Sequence, residues 1–142
     1  MNSLVTNAYG LIVLRLALVA LFLWFGINQV LAPQEWVSWL PQWTSVTVPF
    51  SQLTPEQIVQ LNGGFETILG GLLLLGLWTR WVALLLALHL YVIAYEVGYN
   101  DIGVRDLALA TCTLSLSIFG SDTWSLRRSL PQANPAVKPP LF

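Results

Sequence analysis

Two ionisable residues, Glu66 and His89, interrupt long apolar stretches of the sequence. A carboxylate and an imidazole can each accept and donate a proton, which are the functions that a proton relay requires. A charged side chain at membrane depth costs about 2.5 to 3.5 kcal/mol, so it usually faces a partner or a water-filled cavity. Each residue lies near the middle of its apolar stretch. The two side chains could therefore meet inside a helical bundle.

Further polar residues accompany this pair toward one end of the apolar stretches. They are Asn28 and Gln29 in the first stretch, Asn62 in the second, Glu96 in the third, and Asp101, Arg105 and Asp106 in the fourth. Asn62 and Glu66 are four residues apart and share a helix face. An arginine in the first turn of a helix opposes the macrodipole, so Arg105 is expected to have a carboxylate partner. The set predicts a polar pocket, open to the extracytoplasmic side, that binds a ligand or relays protons.

Structural interpretations of the same residues stay open. Glu66 could be one half of an ion pair, with Arg105 from one side or Arg15 from the other, and the sequence does not decide between them. His89 could be an interhelical hydrogen-bond donor and no more. Small residues let helices approach closely, and the second stretch carries Gly63, Gly64, Gly70 and Gly71.

The composition is that of a membrane protein. The 142 residues are 56% hydrophobic and 9% charged, with a mean hydropathy of +0.68, whereas soluble domains carry about 25% charged residues. The net charge is -1 and no basic cluster is longer than Arg127-Arg128, which argues against a nucleic-acid partner. With one cysteine, Cys112, and one histidine, the chain alone cannot form a disulfide, a thiolate metal cage or a bis-histidine haem site. We expect no metal site and no covalently bound cofactor.

Four segments have the length of spanning helices. About 20 mostly apolar residues are needed, and the segments 8–31, 55–77, 80–97 and 102–119 come close to this or reach it. Each must be helical because lipid leaves an open strand without hydrogen-bond partners. Only Trp78-Thr79 separates the second and third segments, which predicts a tight hairpin. We expect an all-α integral membrane protein with an up-down-up-down bundle over residues 1–130 and a proline-rich cytoplasmic tail over 131–142.

The first loop, 32–54, differs from the other connections in its length and its aromatic content. Its aromatic residues are typical of the headgroup level, and they are Trp36, Trp39, Trp43 and Phe50. The loop is interpreted either as a lid at the membrane interface or as a cap over a cavity. It has no lysine or arginine, whereas the opposite side carries Arg15, Arg80, Arg127, Arg128 and Lys138. The positive-inside bias therefore predicts that both termini are cytoplasmic.

Several short sequence motifs are distributed along most of the chain. They are Leu14-Arg15-Leu16-Ala17, Trp24-Phe25-Gly26, Pro33-Gln34-Glu35-Trp36, Asn62-Gly63-Gly64-Phe65-Glu66, the run GGLLLLGLWTR at 70–80, Asn100-Asp101 and Val104-Arg105-Asp106-Leu107. In this pattern the chain resembles DoxX-like membrane proteins, as far as about residue 120. Many members carry a lysine shortly after the first-helix glycine, where this chain has Asn28 and Gln29.

The resemblance implies a small multi-pass subunit of the cytoplasmic (inner) membrane of a prokaryote. Relatives include a subunit of thiosulfate:quinone oxidoreductase, and others are associated with oxidative-stress and thiol-sulfur chemistry. Whether this chain is itself an enzyme is left open by its sequence.

Three functional hypotheses from different classes follow. The first is a redox-linked subunit with a membrane or periplasmic partner, in which Arg105 binds a quinone headgroup or a sulfur oxyanion and Glu66 or His89 relays protons. The second is a non-enzymatic module that docks a partner, carries a small molecule or forms a homo-oligomer. The third is a structural or lipid-organising protein whose polar groups only fix helix register.

Overall fold

The structure, a computed structural model, describes residues 3–41 and 53–120 of the chain. Within these ranges it is all-helical, with four helices that are long and apolar enough to cross a membrane. The helices are α1 (Ser3–Leu31), α2 (Pro55–Leu75), α3 (Thr79–Val97) and α4 (Asp101–Phe119). Two short 3-10 turns, Pro33–Glu35 and Val37–Trp39, follow α1. The prediction of an all-helical chain with four membrane-spanning helices is confirmed. The predicted tail and residues 42–52 of the aromatic loop lie outside the described residues.

The helix boundaries differ from the predicted ones by small amounts that have local causes. α1 begins at Ser3, ahead of the predicted start at residue 8. α2 ends at Leu75 rather than 77 because Gly76 adopts the left-handed conformation, with φ 67° and ψ 27°. Trp78 also has a positive φ, 45°. The chain therefore reverses direction between α2 and α3 in the tight hairpin that the sequence predicts.

Side-chain caps fix the starts of α2 and α4. Thr54 and Gln57 form a reciprocal capping box, in which Thr54 Oγ1 accepts from the Gln57 backbone N–H at 3.3 Å and Gln57 Oε1 accepts from the Thr54 N–H at 2.9 Å. Asn100 Oδ1 accepts from the backbone N–H groups of Ile102 and Gly103, at 2.9 and 3.0 Å. Each cap satisfies donors that the first turn of a helix leaves without partners.

The helices form two antiparallel pairs, α1 with α2 and α3 with α4, and fewer contacts join one pair to the other. In the second pair, Tyr91 lies across from Thr111, with 3.1 Å between their hydroxyl oxygens. Further along the same pair, Arg80 Nη2 donates to the carbonyl of Ile118 at 2.9 Å. A cation at the C-terminal end of a helix also complements the helix dipole. The residue numbers therefore run in opposite directions along α3 and α4, which shows that the two helices are antiparallel, as an up-down topology requires.

Glycines set the distance between α1 and α2. A Cβ on Gly26 would lie 2.7 Å from the carbonyl oxygen of Gly63, and a Cβ on Gly63 would lie 2.6 Å from that of Gly26. A Cβ on Gly70 would lie 3.2 Å from a side chain of α1. In contrast, nothing lies within 4 Å of a Cβ built on Gly64 or Gly71. The predicted close packing therefore depends on Gly63 and Gly70 and not on all of the glycines in α2.

Leucine, valine, alanine and phenylalanine side chains from all four helices fill the core. The buried cluster contains Leu18, Val19, Phe22, Leu73, Val82, Ala83, Leu86, Leu90, Ala110 and Leu116. Many large apolar residues lie instead on the outer surface, among them Val13, Trp24, Ile68, Trp81, Leu88 and Ile118. Soluble monomers rarely expose contiguous apolar surface of this kind. The outer surface is suited to contact with a lipid bilayer.

Candidate functional site

Glu66 is a buried carboxylate at the middle of α2, with 3% of the residue exposed. His89 Nε2 lies 3.0 Å from its Oε1, so the prediction that these two residues meet inside the bundle is confirmed. Asn62 donates to the same oxygen at 3.3 Å, and Gln29 donates to Oε2 at 3.4 Å. Three helices thus supply hydrogen-bond partners to one carboxylate. We call these four residues the Glu66 cluster.

The glycine contact between α1 and α2 positions the amide side chains of the Glu66 cluster. Gln29 lies about one turn after Gly26, and Asn62 lies beside Gly63. Because the two backbones touch at the glycines, Asn62 Nδ2 reaches Gln29 Oε1 at 2.7 Å. The two amides therefore hold each other as well as the carboxylate. A buried polar group is stable only when such partners are present.

His89 connects the Glu66 cluster to the surface of the bundle. Its side chain is 19% exposed, and its ring lies 5.1 Å from that of Phe65, at an angle of 57°. Phe65 is itself an exposed apolar residue. Among the residues that the structure describes, only Nε2 of the imidazole has a hydrogen-bond partner. The second ring nitrogen, Nδ1, is therefore left for a molecule outside the described chain.

The arrangement of Glu66 and His89 determines what the imidazole can do. When Glu66 is ionised, it accepts the Nε2 proton of a neutral His89, and Nδ1 then carries a lone pair. In that tautomer Nδ1 can accept a hydrogen bond, and an imidazole is one of the side chains that can accept and return a proton.

The sequence left open whether Glu66 pairs with Arg15 or Arg105, and the structure corrects both alternatives. The hydrogen-bond partner of Glu66 on α3 is His89. Arg105 on α4 instead binds its neighbour Asp106, with Nε and Nη2 at 2.9 and 2.8 Å from Oδ1. Arg15 is buried and donates from Nη1 to the carbonyl of Leu73 at 3.4 Å, two turns along α2 from Glu66. Asp106 is the next residue in the chain, so Arg105 reaches a carboxylate without a contact across the bundle.

Arg105 also contacts an aromatic side chain of α1. Its guanidinium carbon lies 6.0 Å from the centroid of the Phe25 ring, within the range of a cation–π interaction. Phe25 packs edge-on against Trp36, with 5.5 Å between ring centroids. The Arg105 side chain is 53% exposed and that of Asp106 is 9% exposed. The predicted carboxylate partner of Arg105 is thus the buried Asp106.

The remaining predicted site residues do not join the Glu66 cluster. Asn28 donates to the carbonyl of Trp24, one turn back in its own helix, at 2.6 Å. Glu96 and Asp101 are exposed at the end of the bundle where α3 meets α4. Cys112 is exposed rather than part of the core, because its position on α4 faces outward. Of the residues predicted to form a pocket, the structure brings together Glu66, His89 and Asn62, with Gln29 hydrogen-bonded to them.

A groove of about 510 Å³ lies elsewhere, between α3 and α4. Tyr91, Tyr95 and Tyr99 of α3 line one side, and Val104 and Leu107 of α4 line the other. None of the predicted site residues lines this groove. The four-residue spacing of the tyrosines is a signal in the sequence that could have indicated a shared helix face.

Possible metal ligands are dispersed over the part of the chain that the structure describes. No group of three or more His, Cys, Asp or Glu side chains in these ranges is arranged to hold a metal ion. The Glu66 cluster itself combines one carboxylate and one imidazole with two amides.

Comparison with models of protein families identifies the family of the chain. The family model for DoxX matches residues 10–98, which is more than half of the chain. The match includes α1, α2 and α3 with all four residues of the Glu66 cluster, and it ends before α4 and the Arg105–Asp106 pair. No curated protein and no solved structure matches the chain.

Proposed function

Because the chain belongs to the DoxX family, we propose that it is a membrane subunit of a quinone-linked oxidoreductase and that His89 exchanges a proton with the quinone headgroup. The observation that carries the proposal is the Glu66–His89 pair. One ring nitrogen lies 3.0 Å from a buried carboxylate, while the other has no partner among the described residues. The imidazole is partly exposed beside an apolar ring, Phe65.

The residues around His89 fit a bound molecule that has an apolar ring with polar oxygen substituents. Phe65 offers a flat apolar surface, and Nδ1 offers one hydrogen-bonding position next to it. A hydroquinone hydroxyl can donate to the Nδ1 lone pair and transfer its proton there, which forms an imidazolium ion beside Glu66. In the reverse direction the imidazolium returns this proton to the hydroquinone monoanion. Oxidation to the quinone also releases a second proton, which passes to water, and two electrons, which pass to a redox centre on a membrane or periplasmic partner.

A neutral quinone fits the Glu66 cluster better than a sulfur oxyanion such as thiosulfate. The nearest charged group to the binding position is the Glu66 carboxylate, which repels an anion. Arg105, the cation that the sequence offered for an oxyanion, already binds Asp106. Moving an anion to the depth of Glu66 also carries a high desolvation cost. We therefore assign a quinone and not thiosulfate as the molecule that contacts His89.

The proposal includes a location in the cytoplasmic membrane of a prokaryote, with both termini on the cytoplasmic side. In support, Arg15 binds the carbonyl of Leu73 and Arg80 binds that of Ile118, so both arginines lie at the same end of the bundle. That end is the one opposite the lysine-free and arginine-free first loop. The positive-inside bias assigns the arginine-bearing end to the cytoplasm.

A binding experiment on the purified chain in lipid nanodiscs tests the proposal. Tryptophan fluorescence under anaerobic conditions would report the binding of a short-chain hydroquinone, whose hydroxyl can donate to Nδ1, with thiosulfate as a second probe. His89→Gln can still donate to Glu66 but lacks the second ring nitrogen, and we expect it to weaken hydroquinone binding about tenfold, which corresponds to about 1.4 kcal/mol. Thiosulfate should not bind.

Matched carboxylate variants provide the control. Glu66→Gln removes the charge behind His89 and should weaken hydroquinone binding, whereas Glu96→Gln changes an exposed carboxylate outside the Glu66 cluster and should leave binding unchanged. Equal binding by wild type and all three variants would exclude His89 as the site. Absence of hydroquinone binding, together with one stable membrane partner recovered from native membranes, would favour the docking hypothesis instead.

A further inference from the structure

The groove between α3 and α4 has the position and dimensions of a lipid site. We propose that it holds one acyl chain of a phospholipid whose headgroup carries an ammonium group. The groove is independent of the Glu66 cluster, and none of its lining residues is used in the proposed function.

The length of the groove matches one leaflet of a bilayer. Tyr91 lies near the middle of α3, and Tyr99 lies just beyond its end at Val97. At about 1.5 Å of rise per residue, the tyrosines extend over about 12 Å along the helix axis. Half of the hydrocarbon core is about 15 Å thick. An acyl chain in this groove would therefore run from near the bilayer centre to the interface.

Small residues create the concavity. Ala94 and Gly98 of α3 and Gly103 of α4 lie between the larger side chains that line the groove. A Cβ on Gly103 would overlap the carbonyl oxygen of Gly98, so the two backbones meet here without side chains between them. A Cβ on Gly98 would point into open space. No side chain of the described chain fills the volume of about 510 Å³.

The tyrosines differ along the groove in a way that suits a lipid. At the inner end, the Tyr91 hydroxyl lies 3.1 Å from that of Thr111 and so is satisfied within the protein. At the outer end, Tyr95 and Tyr99 are 84% and 98% exposed. Tyrosines with an apolar ring and a free hydroxyl are enriched where the hydrocarbon meets the headgroups. Their rings can cover the chain while their hydroxyls reach the headgroup.

Charge at the mouth of the groove indicates the type of headgroup. Glu96 follows Tyr95 in the chain, and Asp101 begins α4 two residues before Gly103, and both carboxylates are exposed. No lysine or arginine lies in the segment that joins α3 to α4. Arg105 follows the lining residue Val104, but its guanidinium binds Asp106 and lies over Phe25 of α1. The zwitterionic headgroup of phosphatidylethanolamine can place its ammonium group near the two carboxylates, whereas the headgroup of phosphatidylglycerol has a net negative charge and no cation.

A second copy of the chain is a poorer occupant. A symmetric dimer with the groove on its two-fold axis would place the two concavities face to face, which encloses twice the volume without filling it. Protein interfaces are packed as closely as protein interiors. A flexible acyl chain can adapt to the shape of the groove and fill it, so no empty volume is left.

Photocrosslinking with defined lipids tests the assignment. The full chain is placed in nanodiscs of phosphatidylethanolamine and phosphatidylglycerol, one of which carries a diazirine in its acyl chain, and crosslinked residues are mapped by mass spectrometry. We expect phosphatidylethanolamine to label the groove residues several-fold more than Leu61 and Ile68, which are exposed on α2. Phosphatidylglycerol should label the groove less than phosphatidylethanolamine does.

A pair of valine variants sharpens the test. Val104→Trp fills the groove and should remove the excess labelling, whereas Val30→Trp adds the same side chain to an exposed position on α1, outside the groove, and should not. If all lipid-facing residues of the wild-type chain were labelled equally, the proposal would be overturned, whatever the two variants show. Equal labelling by both lipids would refute the headgroup assignment, and crosslinks between two copies would identify the groove as a dimer interface.

Discussion

The α1–α2 pair and the α3–α4 pair are both antiparallel, and both bring two glycines together, Gly26 with Gly63 and Gly98 with Gly103. In the first pair the contact lies inside both helices, so polar side chains next to it are enclosed. In the second pair the contact lies at the turn between the helices, and the small residues beside it leave an open groove. In this chain the glycine contact inside the helices thus lies beside the buried polar cluster, and the one at the turn lies beside the groove.

The largest expected effect comes from filling the glycine contact of the α1–α2 pair. Gly63→Leu would place a side chain where the Gly26 carbonyl lies 2.6 Å from a Cβ, and should lower the free energy of unfolding by about 3 kcal/mol. Gly64→Ala, at the next position, meets nothing within 4 Å and should change it by less than about 1 kcal/mol. Unfolding in mixed micelles, followed by circular dichroism, measures both. Similar losses in the two variants would show that the contact does not hold the pair together.

A smaller effect is expected from uncoupling Glu66 and His89. A double-mutant cycle with Glu66→Leu and His89→Leu should give a coupling energy of about 1 to 2 kcal/mol, because the two side chains share a buried hydrogen bond that each substitution removes. The same cycle with Glu96→Leu in place of Glu66→Leu should give a coupling energy near zero, since Glu96 is exposed. Additive effects of Glu66→Leu and His89→Leu would contradict the pairing.

In the α3–α4 pair, the largest single contribution is expected from Arg80. Arg80→Gln removes the guanidinium that binds the Ile118 carbonyl at the end of α4, and should lower the free energy of unfolding by about 1 kcal/mol. Arg80→Lys keeps the charge near the helix end and should lose less. An equal loss in the two variants would mean that hydrogen-bond geometry matters and the helix dipole does not.

The smallest effect is expected from the hydrogen bond at the inner end of the groove. Tyr91→Phe removes the hydroxyl that contacts Thr111, and should lower the free energy of unfolding by about 0.6 kcal/mol. Tyr95→Phe is the matched control, because the exposed Tyr95 has no hydrogen bond to the described residues. If Tyr95→Phe proved the more destabilising of the two, the inner end of the groove would not be closed as described.

The sequence predicts the helices well because their signals are local. Apolar length identifies the spans, and Thr54, Gln57 and Asn100 mark the starts of α2 and α4. The meeting of Glu66 and His89 also followed from the depth of each residue in its helix. Orientation across the membrane stays a prediction from the basic residues.

The partners of Glu66 and Arg105 could not be predicted from the sequence. They depend on how each helix is rotated about its own axis, whereas the sequence indicates only how deep each residue lies in the membrane. Both arginines were reasonable partners for Glu66 by depth, but Arg105 is satisfied by the adjacent Asp106 and Arg15 lies two turns away. The contribution of Gln29 required the glycine contact at Gly26 and Gly63, because only that contact brings its amide within reach of α2. The groove was missed in the sequence because its concavity comes from Ala94, Gly98 and Gly103, whose side chains are small. The spacing of the three tyrosines that line it was the signal in the sequence that could have indicated it.

Nitrogen-15 solid-state NMR of His89 in lipid bilayers tests the central claim most directly. The chain has a single histidine, so labelled histidine gives one side-chain spectrum that distinguishes the two ring nitrogens. We predict that Glu66→Gln shifts the Nε2 resonance and that a short-chain hydroquinone shifts the Nδ1 resonance of the wild-type chain, while Glu96→Gln changes neither. An imidazole spectrum that responds neither to Glu66→Gln nor to hydroquinone would contradict both the pairing and the proposed function.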